Sequence, residues 1–175
     1  MKGAAMKKIV VIFLATIIMI SSITALAQTY PNKRNFFRGL AVTSMTSNSV
    51  SHNSRFIQEM CYAYDSTCRT KMGGYSGIDG VFGSDTQEAV KYFQLDNAVY
   101  NDGSVGANTW GEFYDHLKPI SMTSSSQSMF INYACLNSAG VQQGWQTISG
   151  LRFASESTSG DRIQLQLYGT WRTLS

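Results

Sequence analysis

DGVFGSDT at residues 79–86 and DGSVGANT at residues 102–109 form a degenerate internal repeat. Both copies keep Asp, Gly, Gly and Thr at matching offsets. These are Asp79, Gly80, Gly83 and Thr86 in the first copy, and Asp102, Gly103, Gly106 and Thr109 in the second. Asp-Gly is typical of a tight turn, and the second glycine allows backbone angles that other residues rarely adopt. Each copy is therefore predicted to be one loop that leads into one helix.

Three stretches have apolar residues at helical spacing, one before the repeat and one after each copy. They are Ile57, Met60, Cys61 and Tyr64; Ala89, Val90 and Phe93; and Trp110, Phe113, Tyr114 and Leu117. Such stripes are typical of amphipathic helices. The first helix is expected to begin at Asn53 or Ser54 and to end near its last tyrosine. Ser84 or Asp85 is expected to cap the second helix, and Asn108 the third.

These motifs together resemble the type 1 peptidoglycan-binding domain. The resemblance is carried by Ile57-Gln58, by GYSGIDGVFGSDTQEAVKYFQ at residues 74–94 and by DGSVGANTW at residues 102–110. It implies a three-helix module that holds secreted bacterial proteins on the cell wall, with peptidoglycan as the partner. We therefore expect a mainly α, three-helix peptidoglycan-binding-like domain at residues 50–118, followed by a small β-rich C-terminal module.

Most motif residues have structural explanations. Asp79 and Asp102 are expected to form turns, Thr86 and Thr109 to start helices, and Trp110 to lie in the core. Ligand contacts are expected instead from partly exposed aromatic and amide side chains beside the glycine turns, because sugars and peptide stems present apolar faces with hydrogen-bonding edges. The candidates are Tyr75, Gln94, Tyr100 and Asn101.

Residues 1–27 have the pattern of a secretory signal peptide, with lysines before a run at residues 9–20 that is apolar except for Thr16, and Ala-Leu-Ala at the end. The run is shorter than the roughly 20 residues that cross a bilayer, so cleavage is expected rather than a permanent membrane span. Removal of the three lysines in this segment would remove the formal net charge of +3. The mature protein is expected to be nearly neutral and secreted: extracellular or wall-associated, or periplasmic in a Gram-negative envelope.

Near neutrality argues against binding to nucleic acid or to an anionic membrane. The charge is uneven, however, because residues 29–77 carry a basic excess and residues 78–118 an acidic one. Attraction between the two segments is one interpretation, and solvated charged faces of a small domain are favoured over a dedicated site for wall polymers. The basic stretch NKRNFFRG at residues 32–39 offers an alternative contact for anionic wall polymers, and recruitment to another protein is a third possibility, because a fold does not fix a function.

The remaining segments differ in composition. Residues 28–49 lack periodicity and are interpreted as an N-terminal arm or linker, and residues 119–128 as a Ser-rich flexible linker. Residues 129–175 are predicted to form a small β-rich module of unknown family, because residues 162–167 alternate polar and apolar side chains. Weaker strand candidates are residues 129–134, 145–148 and 150–154. So short a module needs a staple or a partner: the helical domain, a second copy or a wall ligand.

Three cysteines, Cys61, Cys68 and Cys135, remain in the mature chain, and disulfides are expected in an exported protein. In a continuous helix the Cα atoms of Cys61 and Cys68 would lie about 10 Å apart, at about 1.5 Å rise per residue, so this pair requires the helix to end near residues 65–67. Pairing of Cys135 with either would instead tie the tail to the helical domain. At least one disulfide involving Cys68 is predicted, because Cys68 is expected in an exposed polar loop.

Residues suited to catalysis are scarce, so we expect a non-catalytic protein without a catalytic, metal or cofactor site. Cys135 as a nucleophile would need His52 or His116 as its base, and neither lies in a recognisable motif. A zinc hydrolase would need a ligand cluster, and HExxH is absent from the sequence. Glu156 and Asp161 are the only acids in the tail, where glycoside cleavage would need two facing carboxylates. The alternative is a small cell-wall hydrolase, or a truncated relative of one, with its chemistry in the tail.

Overall fold

The computed structural model describes residues 30–45 and 51–175, in which helices are followed by an antiparallel sheet. The helices are α1 (Arg34–Arg38), α2 (His52–Tyr64), α3 (Ser66–Lys71), α4 (Ser84–Asp96) and α5 (Ala107–Asp115), with a 3-10 turn at Gly74–Gly77. The strands are β1 (Leu117–Ser124), β2 (Ser128–Leu136), β3 (Gln142–Gln143), β4 (Gly150–Glu156), β5 (Gly160–Leu167) and β6 (Thr170–Thr173). The predicted signal peptide lies outside the described residues. None of the helices described here is long and apolar enough to cross a membrane.

Helix α2 begins earlier than its apolar spacing predicts. Its N-cap is Ser51, whose hydroxyl accepts the Ser54 N–H at 3.0 Å, so the predicted caps Asn53 and Ser54 are wrong. Asp65 is in an extended conformation and ends the helix. Its carboxylate then caps α3 by accepting the Cys68 N–H at 2.7 Å. The break near residues 65–67 that a Cys61–Cys68 contact requires is therefore present.

The six strands form one antiparallel sheet in the order β1-β2-β4-β5-β6, and β3 pairs with the end of β2. Side chains alternate between its faces. Ile131, Phe153 and Ile163 pair across β2, β4 and β5 and are fully buried. Phe36 of α1 meets Phe153 edge-on at a centroid distance of 5.4 Å, so this face lies against the helices. The strand predicted at residues 162–167 is confirmed as part of β5.

Two segments differ from their sequence predictions. Residues 119–124 belong to strand β1, so the Ser-rich stretch is not a flexible linker. Strand β1 lies at the edge of the sheet, and most of its side chains are exposed or half-buried, so it needs few apolar residues. Its polar composition therefore resembles that of a flexible spacer. Residues 145–148 form an irregular loop instead of the predicted strand.

The sheet and the helices share an aromatic core. Phe56 of α2 stacks on Trp110 at 5.8 Å and also approaches Trp145, from the β3–β4 loop, at 6.4 Å. Phe37 of α1 lies 6.4 Å from Tyr133 of β2. The short β-rich tail thus packs on the helices of its own chain, which is one of the three partners considered for it.

The predicted N-terminal arm packs on the helices where it is described. Phe37 of α1 is fully buried, and Thr43 pairs with Val105 through two backbone hydrogen bonds of 2.8 and 3.2 Å. Arg34 forms ion pairs with Glu112 at 2.9 Å and Asp115 at 2.8 Å. Arg34 of the basic segment is therefore paired with two carboxylates of the acidic segment.

All three cysteines are buried thiols, and no disulfide joins them. Cys68 lies in α3 with no exposed surface, so the expectation of an exposed loop thiol was wrong. A hydrogen bond with the Cys61 thiol, together with burial, raises the pKa of Cys68. Cys68 Sγ also donates to the Ala89 carbonyl at 3.4 Å, and Cys135 donates to the Gln143 carbonyl at 3.4 Å, within the sheet. The only thiols in contact are therefore Cys61 and Cys68.

Candidate ligand-binding site

The first repeat loop is held by a buried glutamine of α2. Gln58 Nε2 donates to Asp79 Oδ1 at 2.9 Å, to the Val81 carbonyl at 2.9 Å and to Thr86 Oγ1 at 3.0 Å. Its Oε1 accepts the Gly80 N–H at 2.7 Å. The amide is therefore fully used in fixing the loop and the start of α4.

The second repeat loop is held in the same way by Gln94 of α4. Its Nε2 donates to Asp102 Oδ1 at 3.2 Å, to the Ser104 carbonyl at 2.8 Å and to Thr109 Oγ1 at 3.0 Å, and its Oε1 accepts the Gly103 N–H at 2.8 Å. Gln94 is only 1% exposed. It therefore supports the loop from inside, instead of presenting the exposed amide to a ligand that the sequence predicted.

The Asp-Gly pairs of the repeat form turns, as predicted, but the second glycines, Gly83 and Gly106, have φ of −91° and −95°, so the unusual backbone angle predicted for them is wrong. Asp79 and Asp102 each accept the backbone N–H two residues further on, at 2.8 and 2.7 Å. Gly80 and Gly103 follow with φ of 85° and 75°, which disfavours any residue with a Cβ. A Cβ on Gly103 would also lie 2.5 Å from the Gln87 side chain, so this loop lies directly on α4.

Helices α4 and α5 begin without a capping side chain. Their N-caps are Gly83 and Gly106, both extended, so the predicted caps Ser84, Asp85 and Asn108 lie inside the helices. The first N–H groups of a helix have no partner within the helix itself. The first-turn amides of α4 and α5 are therefore available to whatever occupies the space beside each loop.

A cleft lies beside each repeat loop. The first-repeat cleft encloses about 150 Å³ and the second-repeat cleft about 220 Å³. The first is lined by Gln58, Met72, Gly77, Asp79, Val81, Gly83, Ser84, Asp85 and Thr86. The second is lined by Gln94, Val99, Tyr100, Asp102, Ser104, Gly106, Ala107, Asn108 and Thr109. Two similar loops thus create two clefts with different surfaces.

The second-repeat cleft offers the better surface for a sugar or peptide. Tyr100, which is 82% exposed, lines it at the position that Gly77 occupies in the first. Asn108 replaces Asp85, so a neutral amide stands where the first cleft has a carboxylate. Val99 adds apolar surface. An exposed ring beside open amides can stack on an apolar face and donate to oxygen atoms.

A basic side chain also lies at the second-repeat cleft. Arg38, at the end of α1, donates from Nη2 to Asn108 Oδ1 at 3.1 Å. This bond occupies the amide oxygen of Asn108, so its Nδ2 donor remains for a ligand. The guanidinium also favours an anionic group at this position, such as a carboxylate.

The other two residues predicted to contact the ligand, Tyr75 and Asn101, do not line either cleft. Tyr75 is 59% exposed on the 3-10 turn and lines neither cleft, whereas Asn101 is exposed next to Tyr100. Trp110 is buried in the core, as predicted, and its Nε1 donates to the Ala41 carbonyl at 3.1 Å. The structure therefore brings Tyr100 and the supporting Gln94 together in one cleft.

The sequence analysis did not select Val99 and Asn108, which line the cleft, or the contact that Arg38 makes with Asn108. Asn108 had a usable signal, because it stands opposite Asp85 when the two repeats are aligned. Arg38 belongs to the basic stretch considered for anionic wall polymers, but its contact with Asn108 depends on the packing of α1 against α5, which the sequence does not reveal.

Comparison with known families fits this architecture. Residues 70–112 match a family described as "Putative peptidoglycan binding domain". The matched segment contains both repeat loops, all of α4 and the first part of α5. This match confirms the resemblance carried by the motifs, within residues 70–112. Comparison with solved structures finds no significant match.

Proposed function

We propose that this protein is exported and binds peptidoglycan through the second-repeat cleft, without a reaction of its own. The observation that carries the proposal is the position of this cleft within the family match at residues 70–112. Peptidoglycan consists of sugars joined to short peptides, whose carboxylates and carbonyl groups accept hydrogen bonds. The open amides of α5, the Asn108 amide and the Arg38 guanidinium supply donors for them, and Tyr100 supplies a stacking surface.

The β-rich part would then be presented at the wall in a fixed orientation. It shares the aromatic core with the helices, so it is not a module on a flexible tether. Asn101, exposed beside Tyr100, adds an amide to the proposed contact surface.

The non-catalytic role is supported by the surroundings of Cys135, the nucleophile that a tail hydrolase would need. Burial raises the pKa of the Cys135 thiol to about 12, whereas an activated cysteine has a lowered pKa. Its Sγ is also engaged with the Gln143 carbonyl. Among the described residues, no group of three His, Cys, Asp or Glu side chains is arranged to hold a metal ion.

Co-sedimentation of the full mature chain with insoluble peptidoglycan tests the proposal. Tyr100→Ala should remove the stacking surface. Asn108→Asp should place a carboxylate beside the carboxylate of the ligand, so that the two repel each other. Both variants should weaken sedimentation about tenfold or more, which corresponds to the loss of about 1.4 kcal/mol. Affinity for the wall should be micromolar or weaker, because the cleft is small.

Tyr75→Ala is the matched control, since Tyr75 is also an exposed tyrosine but lies outside the cleft. It should sediment like the wild type. Loss of sedimentation in Tyr75→Ala but not in Tyr100→Ala would move the contact to the 3-10 turn and contradict the cleft assignment. A clearing band from the wild-type protein in zymography on embedded wall material would contradict the non-catalytic role.

Export is tested separately by N-terminal sequencing of the secreted product, which should begin near Gln28. A soluble cytoplasmic product that begins at Met1 would contradict export but leave the binding site intact.

A further inference from the structure

A second groove lies on the sheet, in a part of the chain outside the family match. It encloses about 250 Å³. The lining residues that matter here are Ile120, Ser121, Asn132, Trp145, Gln166 and Trp171. Pairing of Ser121 with Asn132 and of Gln166 with Trp171 places the members of each pair on a common face of the sheet. We call this feature the sheet groove.

The indole of Trp171 is held in place within the groove. Its ring lies 3.9 Å from the Arg152 guanidinium, which also covers the Phe130 ring at 4.5 Å. Arg152 is fixed in turn by Gln164, whose Oε1 accepts from Nε at 3.0 Å. Gly150 lies against the same indole, and a Cβ there would be 3.6 Å from it. A half-exposed ring in a fixed orientation loses little entropy when a flat ligand stacks on it.

Polar groups in the groove remain available to a ligand. Among the described residues, neither the Gln166 side chain nor the Trp171 indole N–H has a hydrogen-bond partner. Asn132 donates to Ser121 Oγ at 2.8 Å, which leaves its amide oxygen unused. The groove therefore presents both donors and acceptors beside the indole.

None of the residues that line the groove is charged. The nearest cation is Arg152, outside the lining, and its guanidinium is already engaged by the Trp171 and Phe130 rings and by Gln164. An ammonium group would find no carboxylate in the lining. Hydroxyl-rich sugar rings fit this surface, because a pyranose has an apolar face for the indole and a rim of hydroxyl groups for the amides.

We propose that the sheet groove is a second saccharide site, separate from the second-repeat cleft, and that it binds one neutral pyranose ring of a polysaccharide. Its volume is below the roughly 300–1,000 Å³ typical of sites for drug-sized ligands, which suits one ring with the rest of the chain outside. Trp171 stacks on the ring, and Gln166 and Asn132 bond its hydroxyl groups. The assignment does not depend on peptidoglycan binding by the repeat cleft.

The test is titration of the full mature chain with soluble cellotetraose and with chitotetraose, with binding measured by calorimetry and tryptophan fluorescence. Cellotetraose carries only hydroxyl groups and chitotetraose adds acetamido groups, so the two show whether a plain or an N-acetylated glycan is preferred. We expect at least one to bind. Trp171→Ala and Gln166→Ala should each weaken that binding about tenfold or more, whereas Trp171→Phe, which keeps a ring, should weaken it less.

Thr123→Ala is the control on the same sheet, at an exposed position of β1 outside the groove. It should bind like the wild type. Gln166→Ala decides the test if Trp171→Ala fails to fold, because the Gln166 side chain contributes no hydrogen bond to the folded chain. Binding of neither saccharide would overturn the proposal. So would wild-type affinity in Gln166→Ala, or a loss of saccharide binding in Tyr100→Ala with none in the groove variants.

Discussion

Glu59 and Thr147 are joined by two hydrogen bonds, although they belong to a helix and to a loop far along the chain. Glu59 Oε1 accepts from both the backbone N–H and the hydroxyl of Thr147, each at 2.5 Å. The other oxygen accepts the Gln146 N–H at 2.8 Å. Glu59 is only 1% exposed, and its buried carboxylate fixes the β3–β4 loop to α2.

Replacing Glu59 by Gln should destabilise the protein by about 2–4 kcal/mol. Glutamine keeps the shape but removes the charge, and its amide nitrogen would face a backbone N–H, so at least one buried donor loses its partner. Urea unfolding at neutral pH measures the change. Glu88→Gln is the control, because Glu88 is an exposed carboxylate paired with Lys91, and its unfolding midpoint should stay near that of the wild type. Equal midpoints for both variants would show that the Glu59 contacts add nothing to stability.

Stability should fall as the pH falls below 6.5, because of His116. Its Nε2 lies 3.0 Å from Asn97 Oδ1 in a half-buried site, where burial lowers the pKa from the usual value of 6.5. A hydrogen bond with the Asn137 backbone and the carboxylates of Asp115 and Asp96 act in the opposite direction but do not reverse the lowering of the pKa. Since the unfolded chain takes up a proton before the folded chain does, stability is fully present above pH 6.5 and decreases until the native pKa is passed.

Urea unfolding of the wild type and of His116→Gln at about pH 7.5 and about pH 5.5 would measure this effect. The wild type should lose more stability than the variant between the two values. The same loss in both proteins would assign the pH dependence to other groups.

Gln58→Ala and Gln94→Ala should each cost about 2–4 kcal/mol, because each change leaves several buried partners unsatisfied. The loss should be similar for the two, since their hydrogen bonds correspond residue for residue. Urea unfolding gives the free energies, with the exposed Gln127→Ala in the β1–β2 turn as control. Gln94→Ala with wild-type stability but without wall binding would instead restore the sequence prediction that Gln94 contacts the ligand.

The three thiols should resist alkylation until the protein unfolds. All are buried, and the raised pKa of Cys135, about 12, leaves almost no thiolate near neutral pH. Mass spectrometry after brief iodoacetamide treatment should find no label on the native reduced protein and three after denaturation. Rapid labelling of the native state would contradict the packing described for these residues.

The predicted disulfide is tested on exported protein in the same way. Cys61 and Cys68 are the only thiols in contact, so a disulfide between them would leave one label, on Cys135, after denaturation without reductant. A Cys68–Cys135 peptide would require a different arrangement of α3 and the sheet.

Sequence patterns predicted the features that depend on neighbours in the chain. The turns at Asp79 and Asp102, the buried stripe containing Trp110 and the strand at residues 162–167 follow from local chemistry and periodicity. Features fixed by contacts between residues far apart in the chain could not be predicted from the sequence. The loop at residues 145–148 has the composition of a strand, but its N–H groups turn to Glu59 instead of to a neighbouring strand.

The candidate site shows the same limit. Tyr100 could be selected because an exposed aromatic beside a glycine turn is a local feature. The buried state of Gln94 could not be predicted, because its partners lie in the loop that follows and an amide at a helix end is usually exposed. Arg38 enters the cleft only through the packing of a five-residue helix, too short to have a periodic pattern.

The two glutamines also connect the molecule mechanically. Gln58 on α2 fixes the loop that starts α4, and Gln94 on α4 fixes the loop that starts α5, so each loop is held by a helix that precedes it in the chain. A force applied by a wall polymer at Tyr100 would be transmitted through α4 to α2. From α2, the hydrogen bonds of Glu59 would transmit it to the β3–β4 loop, which contains Trp145. If both proposed sites are occupied, these hydrogen bonds form a continuous connection between the ligand in the repeat cleft and the ligand on the sheet.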